Sequence, residues 1–88
     1  LPAFLDFHSI GRYTEEDLKK GQKNPRDEFG VKTINIFYDM DSGTVFCLLD
    51  APDKFAIERH HSKFGIKCDW ITPVNMTVDY DDPVSVSE

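Results

Sequence analysis

Val31-Lys32-Thr33-Ile34-Asn35-Ile36-Phe37-Tyr38, then Asp39-Met40-Asp41-Ser42-Gly43, then Thr44-Val45-Phe46-Cys47-Leu48-Leu49 is the stretch that decides the fold. Its two outer runs are rich in β-branched and aromatic residues, which suit a pleated, half-buried surface. Between them stand Asp and Ser, whose side chains bond their own backbone, and a glycine that accepts a positive φ. Two β-prone runs across so short a loop predict a hairpin.

Toward the amino terminus, Thr14-Glu15-Glu16-Asp17 offers a helix cap followed by acids at the positive end of the helix dipole. Gly21 weakens that helix, and Asn24-Pro25 reads as a fresh cap with proline at the first helical position. A broken helix stopped by Phe29-Gly30 is therefore expected. Before it, Ala3-Phe4-Leu5-Asp6-Phe7-His8-Ser9 alternates, with Leu5 and Phe7 on one side and Phe4, Asp6 and His8 on the other. This is a half-buried strand.

Toward the carboxyl terminus, Asp50-Ala51-Pro52-Asp53 leads into a helix expected from Lys54 to Phe64, with Gly65 as its stop. A last strand is expected from Asp69 to Val78, with Trp70, Thr72, Val74, Met76 and Val78 on one face. Pro73 has no N–H to donate and places this strand at an edge. The order β-α-β-β-α-β predicts an α+β, ferredoxin-like fold, a four-stranded antiparallel sheet with two helices on one face. The uncovered face carries large apolar positions, so a symmetric homodimer in a dimeric α+β barrel-like assembly is expected.

At 88 residues the chain has room for one hydrophobic core, and 40% hydrophobic with 30% charged residues is ordinary globular composition. Residues 1–80 are read as a single domain and 81–88 as a frayed acidic tail. The formal charge of -6 opposes a phosphate backbone, so nucleic acid is not an expected partner. No apolar run reaches the length of a membrane span, and Leu1-Pro2-Ala3-Phe4 lacks the regions of a secretory signal. Cys47 and Cys68 do not form a disulfide framework, which fits reduced thiols in a cytoplasm.

In this arrangement the first and third strands are central neighbours. With Phe46 and Leu48 taken to face the helices, Val45, Cys47 and Leu49 share the opposite face with Asp6 and His8. One imidazole, one thiol and one carboxylate then meet, a mixed set that suits nickel, zinc, cobalt or copper better than magnesium or calcium. His61 enters from the second helix, while His60 is expected to point away to solvent. Spacing leaves open whether His61 meets His8 within one subunit or across a dimer.

Other readings of these residues exist. A strand histidine is more often hydrogen-bonded than metal-bound, and a strand cysteine is most often a small buried hydrophobe. Cys47 with His8 or His61 would also serve as nucleophile and base, or Asp6 and His8 as a proton-transfer pair, though no oxyanion-hole or phosphate-loop motif accompanies them. Asp39 and Asp41 belong to the turn, since a calcium loop would need a terminal Glu that the sequence lacks.

Phe4-Leu5-Asp6-Phe7-His8, the segment Asp41-Ser42-Gly43-Thr44-Val45-Phe46-Cys47-Leu48-Leu49-Asp50-Ala51-Pro52-Asp53, and His60-His61 with Gly65 together resemble a family of small bacterial and archaeal proteins. That family was first catalogued as a domain of unknown function and is represented by a nickel-binding protein with a dimeric ferredoxin-like fold. The resemblance runs from Phe4 to Val78. It implies nickel binding by His8, Asp6, Cys47 and His61, and it selects His61 over His60. Asp50, at a position where the family usually has Glu, is a further candidate of shorter reach. The first helix departs from the family, with Lys20-Gly21-Gln22-Lys23-Asn24 where many members are richer in His and Asp. The resemblance thus points to a protein that sequesters, carries or senses nickel. Its rivals are a small dimeric α+β barrel enzyme with an organic ligand in its cavity, and a purely structural interaction module.

Overall fold

Residues 2–79 are described by the structure, a computed structural model. The expected acidic tail, 81–88, lies outside them. The elements run β1 (Ala3–Ser9), α1 (Glu15–Gln22), β2 (Lys32–Asp39), β3 (Thr44–Asp50), α2 (Lys54–Ser62) and β4 (Trp70–Val74). The four strands form an antiparallel sheet in the order β2-β3-β1-β4, which is the ferredoxin-like topology expected from the sequence.

The β2–β3 turn closes as its residues dictate. Gly43 takes φ +69 and donates to the Asp39 carbonyl at 2.9 Å, while Ser42 N–H donates to the Asp39 carboxylate at 3.0 Å. Thr14 and Asp17 close a reciprocal capping box at the start of α1.

The helix does not restart at Asn24-Pro25. Asp27 forms a local alternative: its Oδ1 accepts from the N–H groups of Phe29 and Val31, each at 2.9 Å, and its own N–H donates to the Val31 carbonyl. A carboxylate that satisfies nearby amides removes the need for a further helical turn. Gly30, at φ +84, ends this loop and not a helix.

Asp53 caps α2 by accepting from Ala56 N–H at 2.9 Å. The helix ends at Ser62, earlier than expected. The chain leaves through Gly65 at φ +69, with Ile66 N–H donating to the His61 carbonyl and Gly65 N–H to that of Ser62. This pair of bonds is a Schellman motif. β4 is also shorter than expected. It lies at the edge that Pro73 requires and stops at Val74, which pairs with Ala3, the first residue of β1.

The assignment of sheet faces is reversed from the expected one. Asp6 pairs with Cys47 and His8 with Val45, so these residues do share a face, but it is the face under the helices. Val45, Cys47 and Leu49 are buried there in one core with Phe4, Ala56 and Ile57. Phe46 points to the open face, where it meets Phe7 at a ring separation of 4.9 Å and Trp70 at 6.2 Å. α2 turns Ala56, Ile57 and His61 inward, and the first two share the buried core with Val45, Cys47 and Leu49.

Candidate metal centre

Pairing of β1 with β3 places Asp6 beside Cys47, and one turn of α2 carries His61 down onto them from above. Ligand atoms of Asp6, His8, Cys47 and His61 all lie within 4.8 Å of one another. All four residues are buried, Asp6 completely. The meeting of His61 with the strand residues thus occurs within one chain.

The imidazole tautomers follow from their partners. His8 Nδ1 lies 2.7 Å from the Ser9 carbonyl and His61 Nδ1 lies 3.0 Å from the Ile57 carbonyl. A carbonyl only accepts, so each Nδ1 carries the proton and each Nε2 offers a lone pair. Those lone pairs point into the cluster: His8 Nε2 is 3.7 Å from Cys47 Sγ, and His61 Nε2 is 3.5 Å from Asp6 Oδ2.

Asp6 and His61 do not form an ordinary ion pair. Burial pushes the Asp6 carboxyl up to about 7, with partial relief from the neighbouring Cys47 and Cys68 groups. Burial also pulls His61 down to about 4, the Ile57 carbonyl opposing that shift and the nearby His8 and His60 adding to it. Cys47 is held far above the usual thiol range, first by burial and then by the Asp6 charge. Near neutral pH both groups of the Asp6–His61 pair are thus driven toward their uncharged forms. Both Asp6 oxygens are buried, and no hydrogen bond of ordinary geometry reaches either from the described residues, the Cys47 and Cys68 groups and His61 Nε2 lying close enough for only weak polar contact. A buried carboxyl of this kind costs several kcal/mol unless a proton or a cation satisfies it, on the order of 1–3 kcal/mol per orphaned group and more when charged.

The remaining candidates fall elsewhere. Asp50 is buried at the end of β3, where its Oδ2 lies 3.4 Å from Arg26 Nη2, and it is not part of the four-residue group. His60 is not turned out to solvent: its Nδ1 lies 2.6 Å from Asp27 Oδ2, with a side chain 17% exposed. The partner carboxylate, Asp27, comes from the loop between α1 and β2, which meets the last turn of α2. Cys68 was not singled out by its spacing, yet it stands beside Asp6, and burial followed by the Asp6 charge pushes its thiol up to about 12. The signal was available in the topology, since a strand paired to β1 must be entered next to β1.

A cavity of about 280 Å³ adjoins the cluster, between the sheet and α1. His8, Cys47 and His61 line it, and Asp6 does not.

The SCO4226-like family, described as nickel responsive proteins, matches residues 4–74, nearly the whole of the described fold. The chain belongs to this SCO4226-like family. The crystal structure of SCO4226 from Streptomyces coelicolor is similar at a TM-score of 0.70 with 26% sequence identity, and the match covers 86% of this chain and 99% of that one. No curated protein sequence matches the chain. The SCO4226-like match takes in β1, β3 and α2, and with them all four residues of the buried cluster.

Proposed function

We propose that this SCO4226-like protein is a nickel-binding homodimer that sequesters, carries or senses the ion, and that Asp6, His8, Cys47 and His61 hold it. The observation that carries this reading is the completely buried Asp6 carboxyl, without a hydrogen bond of ordinary geometry and facing two imidazole lone pairs and a thiol. Four donor atoms converge there, with the Asp6 and Cys47 protons the only ones to be displaced, and a cation is the species that satisfies such a set once they leave. Two nitrogens, one sulfur and one oxygen suit a borderline transition ion. The Ser9 and Ile57 carbonyls orient the rings, as outer hydrogen bonds do for ligating histidines.

Binding releases protons, because the thiol must become thiolate and the carboxyl must ionise. His61 is already neutral well below its usual range, so the protons that compete with the ion sit on Asp6 and Cys47. The same raised thiol disfavours Cys47 as a free nucleophile, and this weighs against the enzyme reading. Asp50 is left out of the ligand set because it faces Arg26. Support for the homodimer comes from the open face, where Phe7, Phe46 and Trp70 cluster and Trp70 is 42% exposed. No helix among the described residues is long and apolar enough to cross a membrane. We place the protein in the cytoplasm on its two free thiols, Cys47 and Cys68.

Calorimetric titration of metal-free protein with nickel tests the ligand set. Cys47→Ser and His61→Ala should each weaken binding by more than about tenfold, the lower end of what loss of an outer-shell partner costs. Unchanged affinity in both would remove these residues from the site.

A further inference from the structure

We infer that the cavity between α1 and the sheet receives a small organic molecule with an apolar body and a single donor head, which meets the metal ion at His8, Cys47 and His61. This rests on the metal-binding reading above. The cavity's lining is mostly apolar, with Leu18, Ile36, Val45, Leu49, Phe64 and Ile66 in it beside the three candidate ligands, and Asp17, Lys20 and Asn24 reach it from α1 and the loop that follows. An apolar body with one polar head is the chemistry that such a lining recognises. Asp6 is absent from the lining and is completely buried, so it holds the ion from behind and leaves the cavity side of the ion to an incoming donor. A volume of about 280 Å³ admits a molecule of one or two small rings and excludes a peptide or a nucleotide.

The space is maintained by α1. None of its residues is fully buried, and Gly21, inside the helix, lines the cavity. Its backbone has no positive φ, and a Cβ built there would meet only Ile36 Cδ1, at 4.0 Å. Neither strain nor crowding requires glycine at this position, although glycine costs a helix about 1 kcal/mol relative to alanine. What the missing side chain provides is volume inside the cavity.

The test uses nickel-loaded protein with 4-phenylimidazole and imidazole as probes. Nickel affinity is first measured for the wild type and for Gly21→Leu, which puts a side chain into the cavity at a position where a Cβ has only Ile36 within 4 Å. Both should bind nickel equally and retain it after gel filtration with either probe. The wild type should then bind 4-phenylimidazole at least about tenfold more tightly than imidazole, from burial of the phenyl ring, and Gly21→Leu should lose that preference. Equal binding of the two probes by the wild type, or a preference that survives in Gly21→Leu, overturns the inference and leaves nickel binding standing. Failure of the wild type to bind nickel overturns the metal reading, and this inference falls with it. Should Gly21→Leu alone fail to take up nickel, Thr33→Leu on the sheet wall of the cavity is judged by the same two outcomes.

Discussion

Asp6 sits across from Cys47 with neither of its oxygens in a hydrogen bond of ordinary geometry, and its titration is tied to burial. Its folded pKa is raised from 3.8 to about 7, so the stability that goes with its protonated form is complete below 3.8 and is lost as pH rises toward about 7. His61 has the opposite sign. Its folded pKa falls from 6.5 to about 4, so its contribution is complete above 6.5 and is lost as pH falls toward about 4. Asp6→Asn removes the first slope and keeps the second. The metal-free variant should therefore be more stable than the wild type at pH 8, by on the order of a few kcal/mol, with the gap closing toward pH 4. Urea melts at several pH values read this directly, and a gap that does not change with pH would show that Asp6 does not titrate across that range.

Among the elements, the loop between α1 and β2 has a larger role than a connection. Asp27 accepts from two backbone amides of its own loop and also meets His60 and Lys63 at the end of α2, with Lys63 Nζ at 3.2 Å. It thereby fixes the end of the helix that carries His61. Burial raises the Asp27 carboxyl, but the bonds from His60, Val31, Lys63 and Phe29 outweigh it and bring the value down to about 2. Stability from this group is complete above the unfolded value of 3.8 and is lost as pH falls toward about 2. Asp27→Ala should destabilise the protein at neutral pH by about 2 kcal/mol, with wild type and variant converging in acid. Guanidinium denaturation at pH 7 and pH 2.5 gives the two differences to compare.

For the whole molecule, two apolar surfaces of the sheet have different fates. One is covered by α2 and buries the cluster. The other carries Phe7, Phe46 and Trp70, with Phe37 on the neighbouring strand 49% exposed. The proposed dimer covers this second surface. Phe46→Asp, set among those rings, should shift the protein from dimer to monomer in sedimentation velocity, since an unpaired charge does not bury in an apolar interface. A variant that sediments as the wild type does would move the contact to another face.

Much of the fold was legible in local chemistry: alternation in Ala3–Ser9, the β-prone runs on either side of the Asp39 to Gly43 turn, the caps at Thr14 and Asp53, and the edge position of Pro73. The co-facial placement of Asp6, His8 and Cys47 was also legible, because antiparallel register alone sets which residues share a side. Register says nothing about which side the helices cover. That was decided by tertiary packing, which puts Ala56 and Ile57 of α2 into one buried core with Phe4, Val45, Cys47 and Leu49 and leaves Phe46 with Phe7 and Trp70 on the open face. The same packing brought His61 to Asp6 within one chain, turned His60 to Asp27, set Cys68 beside Asp6 and directed Asp50 toward Arg26. Sequence determined which chemical groups were present and which strand positions aligned. Tertiary structure alone decided which of them lost water together, since burial depends on every element that packs around a residue and not on its neighbours in the chain.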